Sequence, residues 1–250
     1  MEIKYRDHYN DEYFTGKKIY HDHEGNARNY HGPALQWEGF QVVAGALAAL
    51  WKPGSLLDIG CSGGDLASRL MQKGFDCYGV EISEYAIMNC VSEMKGRIAL
   101  ADISETPNTL RGWDLSKQPT PPFQDKFDYL IATDLLEHIY REDLDNTFDW
   151  MTSKADRFFY CVATVSGAPG EKSFIAKKGE PIPPEFEGSA VSGHVNIQSY
   201  HKFWIPYFKS KGLKIDWEKM YMFQALRERH QGWKNTGGWS MLTTVFLEKV

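Results

Sequence analysis

The stretch LLDIGCSGG, residues 56–64, runs from a short apolar segment through an acid into a glycine-rich turn. A helical pattern follows at once from Asp65 to Lys73, and Gly74 closes it. A strand, a glycine turn and a helix in this order are typical of the start of a nucleotide-binding unit. Glycines let the backbone turn tightly and let a ligand approach it, and the helix N-terminus behind them offers unpaired N–H groups. The stretch therefore predicts a ligand site at the turn.

The sequence after this turn predicts a second strand with an acid at its end. Residues 76–80 read DCYGV, and Glu81 follows 23 residues after Asp58. That spacing is typical of a βαβ unit in which the second acid meets the hydroxyls of a ribose. The two motifs together indicate a βαβ unit that binds a ribose-containing ligand.

Four motifs in a fixed order resemble those of class I S-adenosylmethionine-dependent methyltransferases. They are DIGCSGG at 58–64, GVEISE at 79–84, Ala101-Asp102, and FD at 127–128 followed by DLLEHI at 134–139. The commonest form of the family has glycine where this chain has Ser62, while Asp58, Gly60 and Gly64 are kept. The resemblance implies an enzyme that uses S-adenosylmethionine to methylate an acceptor.

The resemblance also implies how the adenosine half of the cofactor is bound. The carboxylate of Glu81 would accept hydrogen bonds from both ribose hydroxyls, which an ionised carboxylate does well. Asp102 would accept from the adenine amino group. Ile82 and Ile103 would lie against the two faces of the adenine ring.

The methionine half of the cofactor is expected to meet the glycine turn, the end of the fourth strand and the N-terminal segment. The residues expected there are Asp58, Gly60, Cys61, Ser62, Gly64, Asp134, Leu135, Tyr9 and Tyr13. The backbone carbonyl of Asp134 or Leu135 would accept from the amino group. A tyrosine hydroxyl or a cation would hold the carboxylate, and Tyr9, Tyr13 and Arg28 are the candidates.

The alternation of strand and helix patterns favours parallel pairing with right-handed crossovers. We expect strands at 56–59, 76–81, 97–101, 127–132, 157–165, 213–220 and 242–250. We expect helices at 34–51, 65–73, 83–94 and 141–155, and one between Asn196 and Gly212 that Pro206 bends or shortens. Asp65 and Ser83 are expected to cap the helices that they begin. The predicted fold class is α/β, with a Rossmann-like seven-stranded mostly parallel sheet, an antiparallel last strand and helices on both faces.

Two segments outside the sheet are expected to cover the site. Residues 1–33 are rich in tyrosine and histidine, and they resemble N-terminal segments of glycan and small-molecule methyltransferases that fold over the cofactor. Residues 34–250 form the methyltransferase domain, with a lid insertion at about 166–193. This insertion leaves the carboxyl end of a central strand, where ligands bind in open α/β sheets. An ordinary mobile loop is the alternative for the insertion.

Methyl transfer from a sulfonium is an in-line displacement, and alignment supplies most of its acceleration. A hydroxyl acceptor must also lose its proton, and histidine is the usual base near neutral pH. His194 is the preferred candidate for this base, and His138 is the second. A purely structural role stays open for both histidines.

Charge and composition narrow the class of acceptor. The net charge is −5 with no long basic run, which makes nucleic acid an unlikely partner. Aromatic residues make up 14% of the chain, so they line either a substrate cavity or the core. We therefore expect a small-molecule or sugar-type acceptor, methylated at oxygen. A catalytically silent cofactor-binding scaffold and a methyltransferase of nucleic acid or protein are the alternatives.

The cysteines, histidines and apolar runs of the chain indicate whether it has metal ligands and where in the cell it is located. The four cysteines form no CxxC pair, and the histidines near the N-terminus lack a paired acid, so no metal ligands are predicted. Metal assistance of the transfer stays open. The polar N-terminus and the absence of a long apolar run predict a soluble cytoplasmic protein without membrane contact. Nothing in the sequence predicts an oligomeric state.

Overall fold

The computed structural model describes residues 5–15, 17, 19–21, 27–29, 38–113, 120–162, 164–165, 172–180, 183, 193–229 and 243–250. The α-helices are α1 (Tyr5–His8), α2 (Asp11–Phe14), α3 (Glu38–Leu50), α4 (Asp65–Met71), α5 (Glu84–Met88), α6 (Arg141–Ser153), α7 (Ile205–Ser210) and α8 (Trp217–Glu228). The strands are β1 (Ile19–His21), β2 (Ala27–Asn29), β3 (Ser55–Ile59), β4 (Asp76–Glu81), β5 (Ile98–Leu100), β6 (Tyr129–Thr133), β7 (Arg157–Cys161), β8 (Thr164–Val165), β9 (Phe174–Ile175), β10 (Asn196–Ser199), β11 (Leu213–Ile215) and β12 (Thr244–Lys249).

The central sheet has seven strands in the order β11-β12-β7-β6-β3-β4-β5. The pairs from β7 to β5 are parallel, and β12 runs antiparallel to both of its neighbours. Strand β3 lies in the middle, where Asp58 is paired with Gly79 of β4 on one side and Ile131 of β6 on the other. This topology confirms the predicted α/β fold with an antiparallel last strand. It places the carboxyl ends of β3, β4, β5, β6 and β7 along one edge, called here the carboxyl edge.

Many of the aromatic residues that the structure describes lie in the core. Phe148 of α6 stacks on Phe208 of α7, with ring centroids 5.6 Å apart, and Phe208 stacks on Tyr160 of β7. Trp204 is fully buried beside them. These four rings therefore build the packing of helices on the sheet, as large apolar rings usually do.

A second, three-stranded sheet lies beyond the carboxyl end of β7, in the order β8-β10-β9. Strand β10 pairs parallel with β8 and antiparallel with β9. The predicted strand at 157–165 was therefore wrong in its second half. The amide of Val162 donates to the carbonyl of Thr243 at 2.8 Å, and after this bond the chain leaves the central sheet for the small one.

Helix starts differ from the predictions in physically simple ways. Ser83 caps α5 as expected, because its Oγ accepts from the amide of Ala86 at 3.2 Å, but α5 ends at Met88 instead of continuing to Met94. Asp65 is not a cap. Gly64 takes that position without a side-chain bond, and the Asp65 carboxylate instead pairs with Arg69 at 2.9 Å.

The lid insertion predicted at about 166–193 lies largely outside the described residues, and the region that follows it differs from the sequence prediction. Residues 196–199 form β10, and a π-helical turn, Tyr200–Trp204, precedes α7. Pro206 lies in the first turn of α7, where its missing N–H breaks no helical hydrogen bond. Helix α7 has only six residues, so it is short, as expected. The predicted strand at 213–220 ends at Ile215, because Asp216 caps α8 by accepting from the amide of Lys219 at 2.9 Å. Among the described helices, none has the length and apolar character needed to cross a membrane.

Candidate functional site

The glycine turn after β3 is held against β4 by backbone bonds. The amides of Gly60 and Cys61 both donate to the carbonyl of Val80, at 2.8 and 3.2 Å. Gly60 has a φ of +72°, and a Cβ on it would lie 3.1 Å from Cδ1 of Leu135. Gly64 has a φ of +80°, and a Cβ there would lie 2.6 Å from Met94. Both positions thus require glycine for conformation and for space.

Ser62 occupies the position at which the commonest form of the family has glycine. Its φ is +50°, so a residue with a side chain occupies the left-handed region. Its amide donates to Oε2 of Glu81 at 2.8 Å. Such a conformation costs a residue other than glycine about 1–2 kcal/mol, and this charge-assisted bond offsets that cost.

Glu81 is the central acceptor of the site. It is buried at the end of β4, and its Oε1 accepts from the amides of Ile82 and Ser83, each at 2.9 Å. Burial raises the pKa of Glu81, and the N–H donors oppose that rise. With Ser62, three backbone amides orient this carboxylate at the mouth of the glycine turn.

Asp58 is the second buried carboxylate at this turn. Burial raises the pKa of Asp58 well above its usual range, and the nearby Glu81 raises it further. Within the described part of the chain, its Oδ1 has no hydrogen-bond partner. A buried oxygen of this kind is normally satisfied by a ligand or a water, which fits a ligand site here.

The residues expected around the adenine lie at the next strand end. Oδ1 of Asp102 accepts from the amide of Ser104 at 2.9 Å and from its hydroxyl at 2.6 Å, which caps a 3-10 turn at Ile103–Glu105. Ile103 is buried and Ile82 is half-buried. The amide of Ala101 donates to the carbonyl of Glu81 at 3.0 Å, so the second and third motifs are adjacent.

The motif after β6 closes the other side of the site. Asp134 has a φ of +51°, and its amide donates to the carbonyl of Cys161 at 2.9 Å. The thiol of Cys161 donates to Oδ1 of Asp134 at 3.4 Å. Leu135 follows and contacts the glycine turn at Gly60. The structure thus brings Asp134 and Leu135 next to the residues expected to bind the methionine half of the cofactor.

The two candidate catalytic histidines touch each other. His138 ends a 3-10 turn, Leu136–His138, and its ring centroid is 4.9 Å from that of His194. Nδ1 of His138 lies 3.0 Å from the carbonyl of Gly193 and 2.7 Å from the hydroxyl of Tyr9. Burial lowers the pKa of His138 to about 4. Burial, followed by repulsion from His138 and His8, lowers the pKa of His194 to about 3. Both imidazoles are therefore neutral at pH 7.

The N-terminal segment reaches across the carboxyl edge. The ring of Tyr9 packs edge-on against His138 at 5.7 Å, and Tyr13 packs against Tyr9 at 5.0 Å. At the other side, Phe14 is buried and stacks on Tyr85 of α5 with centroids 6.1 Å apart. This segment therefore contacts both the β6 end and the β4 end. The side chain of Arg28 lies outside the described residues.

The sequence did not place Glu137 among the site residues, and it did not predict the contacts that Gly193 makes. Glu137 is buried beside both histidines. Gly193 has a φ of +86°, and a Cβ on it would lie 2.7 Å from the Tyr9 hydroxyl and 2.9 Å from Nε2 of His8. Its position directly before His194 was the available signal.

Replacing Gly193 by alanine is expected to push the N-terminal segment away from His138. Overpacking of this kind typically costs about 1–3 kcal/mol, so we expect a fall of about tenfold or more in kcat/KM and faster proteolysis at residues 5–15. Gly179→Ala is the matched control, because Gly179 also has a positive φ, +77°, but nothing lies within 4 Å of its added Cβ. Equal behaviour of the two variants would contradict the steric contact.

A seven-stranded sheet of this order, with a glycine turn after β3 and an acid at the end of β4, defines a class I methyltransferase. The family model for a methyltransferase domain matches residues 37–176, more than half of the chain. The chain belongs to this family and is an S-adenosylmethionine-dependent methyltransferase. No curated protein sequence matches it significantly.

Several solved methyltransferase structures are similar to this chain. Magnesium protoporphyrin IX methyltransferase from Synechocystis PCC 6803 with bound SAH is 15% identical, with a TM-score of 0.47 over 85% of this chain and 84% of that one. The mitomycin 7-O-methyltransferase is 12% identical, with a TM-score of 0.47 over 84% and 54%. The ribosomal protein L11 methylase from Lactobacillus delbrueckii subsp. bulgaricus is 14% identical, with a TM-score of 0.42 over 84% and 77%. These names give different acceptors, and at such identities none of them transfers to this chain.

Proposed function

We propose that this enzyme transfers the methyl group of S-adenosylmethionine to an oxygen of a small-molecule or sugar-type acceptor. The observation that carries the proposal is the contact between His138 and His194 at the carboxyl edge, beside the turn at Asp134 and under Tyr9. Ligands of open α/β sheets bind at this edge. A neutral imidazole has a nitrogen lone pair that can take the proton that the acceptor hydroxyl must lose.

The cofactor assignments are part of the same proposal. Glu81 accepts from the ribose hydroxyls, Asp102 accepts from the adenine amino group, and Ile82 and Ile103 enclose the adenine ring. The burial of Glu81 and its three backbone donors support this role, because they fix its carboxylate in place before a ligand arrives. Because these N–H groups already orient the carboxylate, the Glu81 side chain loses less conformational entropy when the ribose binds.

The methionine half is assigned to the other side of the glycine turn. The backbone from Gly60 to Gly64, including Cys61 and Ser62, lies against it, with Asp58 behind. The carbonyl of Asp134 or Leu135 accepts from its amino group. The contact between Leu135 and Gly60 supports this arrangement, because it brings the two backbone segments together.

The methyl transfer itself needs alignment and removal of one proton. The acceptor oxygen approaches the methyl carbon opposite the sulfur, a C–O bond forms, and the C–S bond breaks with its electron pair left on sulfur. His194 takes the acceptor proton, and His138 is held beside it by Gly193 and Tyr9. Tyr9 and Tyr13 cover this end and exclude water, which favours transfer to the acceptor over transfer to solvent.

A cytoplasmic location remains the prediction made from the sequence.

The test is an acceptor panel with S-adenosylmethionine that carries an isotope-labelled methyl group. We expect label in phenols, carboxylic acids or sugar hydroxyls, with an O-methyl group in the product identified by NMR. Transfer only to RNA, DNA or protein would overturn the acceptor class. Tight cofactor binding with no transfer to any acceptor would favour the silent scaffold.

A further inference from the structure

Three potential metal ligands meet at the acceptor end of the site. Glu137, His138 and His194 each offer one ligand atom, and these atoms all lie within 4.8 Å of one another. We infer that this trio binds a divalent transition-metal ion that receives the acceptor oxygen. The inference rests on the proposed function for its role, while the metal site itself rests on the geometry of these side chains.

The backbone brings the three side chains together from two distant segments. Glu137 and His138 are neighbours on one 3-10 turn. The amide of Val195 donates to the carbonyl of Glu137 at 2.8 Å, which ties the residue after His194 to the same turn. Metal–ligand bonds of about 2.0–2.2 Å place ligand atoms roughly 3–4 Å apart, so a modest inward movement completes the set.

Hydrogen bonding selects the nitrogen of His138 that can bind a metal. The carbonyl of Gly193 can only accept, and it lies 3.0 Å from Nδ1 of His138. The hydroxyl of Tyr9, 2.7 Å from the same Nδ1, can accept as well as donate, so a proton on Nδ1 satisfies both contacts and leaves the lone pair of Nε2 for a metal. A ligating histidine typically donates its other N–H to a backbone carbonyl or a carboxylate in this way.

Asn196 supplies an independent observation next to the same turn. It is fully buried, and its Nδ2 donates to the carbonyl of Leu136, the residue before Glu137, at 3.3 Å. Its Oδ1 has no hydrogen-bond partner among the residues that the structure describes. A buried amide oxygen needs a donor, and a water on a bound metal would supply one.

The donor set indicates the class of ion. Two imidazoles and one carboxylate suit Zn²⁺, Mn²⁺ or Fe²⁺, whereas Mg²⁺ and Ca²⁺ prefer oxygen ligands. Three protein ligands leave further coordination positions open, as in catalytic sites.

A metal in this place changes one step of the transfer. An acceptor hydroxyl on the metal loses its proton to solvent more readily, because the cation lowers its pKa. The resulting oxygen then forms the C–O bond while the C–S bond breaks and its electron pair stays on sulfur. His194 serves as a ligand in the loaded protein and as a base only in the metal-free protein.

Calorimetry and metal analysis of chelator-stripped full-length protein test the site without any acceptor. We expect about one equivalent of Zn²⁺ or Mn²⁺ to bind, with the affinity reduced at least about tenfold in His194→Ala and in Glu137→Gln. His201→Ala is the matched control, because His201 is exposed. Thermal melts check that the Glu137 variant folds, and Co²⁺ absorption spectra report coordination directly in His194→Ala.

The outcomes separate this inference from the proposed function. Stripped protein that binds no metal, or variants that bind like the native protein, would overturn the metal site. Methyl transfer that persists at full rate in chelator would overturn the role of the metal and leave the proposed function standing. Metal binding without O-methylation of any acceptor would overturn the proposed function and leave the metal site standing.

Discussion

Glu81→Ala is expected to weaken binding of S-adenosylmethionine by about 10²- to 10⁴-fold. Hydrogen bonds to a charged group contribute about 1.5–3 kcal/mol each, and the proposed role gives Glu81 two of them to the ribose. A tenfold change in affinity corresponds to about 1.4 kcal/mol, so losing both bonds gives a change of this size. Calorimetric titration with S-adenosylmethionine and with its demethylated product measures it.

Two further variants separate ribose binding from loop structure. Glu81 also accepts from the amides of Ser62, Ile82 and Ser83, so the alanine variant loosens the turn as well. Glu81→Gln keeps the shape and one acceptor oxygen, and we expect an intermediate loss. Glu84→Ala removes an exposed carboxylate three residues later and should bind like the native protein. Native affinity in a folded Glu81→Ala would contradict the assignment.

The parts of the fold that sequence predicted best are the buried parallel strands. Strands β3, β4 and β6 read as short apolar runs, because both faces of a parallel strand are covered. Strand β4 ends at Glu81, and Asp58 lies one residue before the end of β3, so an acid beside apolar residues marks the end of each of these two strands to within a residue. The prediction of seven mostly parallel strands with an antiparallel last strand is confirmed by the sheet.

The parts that failed depend on contacts distant in sequence. β8 separates from β7 because Val162 bonds to Thr243, a residue about a third of the chain away. The strand at 196–199 exists because it pairs with β8 and β9, and neither partner has a strong local pattern. The predicted Asp65 cap failed because Arg69, one turn later, pairs with its carboxylate. Local propensity is a weak guide wherever such a partner exists.

The candidate site shows the same contrast between features that local sequence predicts and features that depend on distant contacts. Its cofactor half lies on continuous motifs, so the sequence named Gly60, Glu81 and Asp102 directly. Its acceptor half is built from Tyr9, His138 and His194, which lie far apart in the chain. Each was a separate candidate in the sequence, but their mutual contact depends on how the N-terminal segment and the chain from Gly193 onward fold onto β6. No spacing rule predicts such a contact.

His194→Ala is expected to lower kcat/KM for the O-methyl acceptor by about 10²- to 10³-fold, the usual contribution of a proton-transfer group. Binding of S-adenosylmethionine should stay within about threefold of native, because His194 lies at the acceptor end and makes none of the proposed cofactor contacts. Initial rates at saturating cofactor and calorimetry on the same preparation measure both quantities. His201→Ala, on an exposed histidine of the same region, should leave both unchanged.

The double variant tests whether the two histidines act as a unit. Their rings are in contact, and both contribute to the same candidate ligand set. Residues that act together lose activity non-additively, so His138→Ala should add little to the effect of His194→Ala. If the losses multiply instead, the two histidines act independently, and the site is not assembled around a shared proton or a shared ion. A shared role would also explain why the chain keeps two neutral, half-buried imidazoles in contact, since a structural histidine needs no second one against its ring.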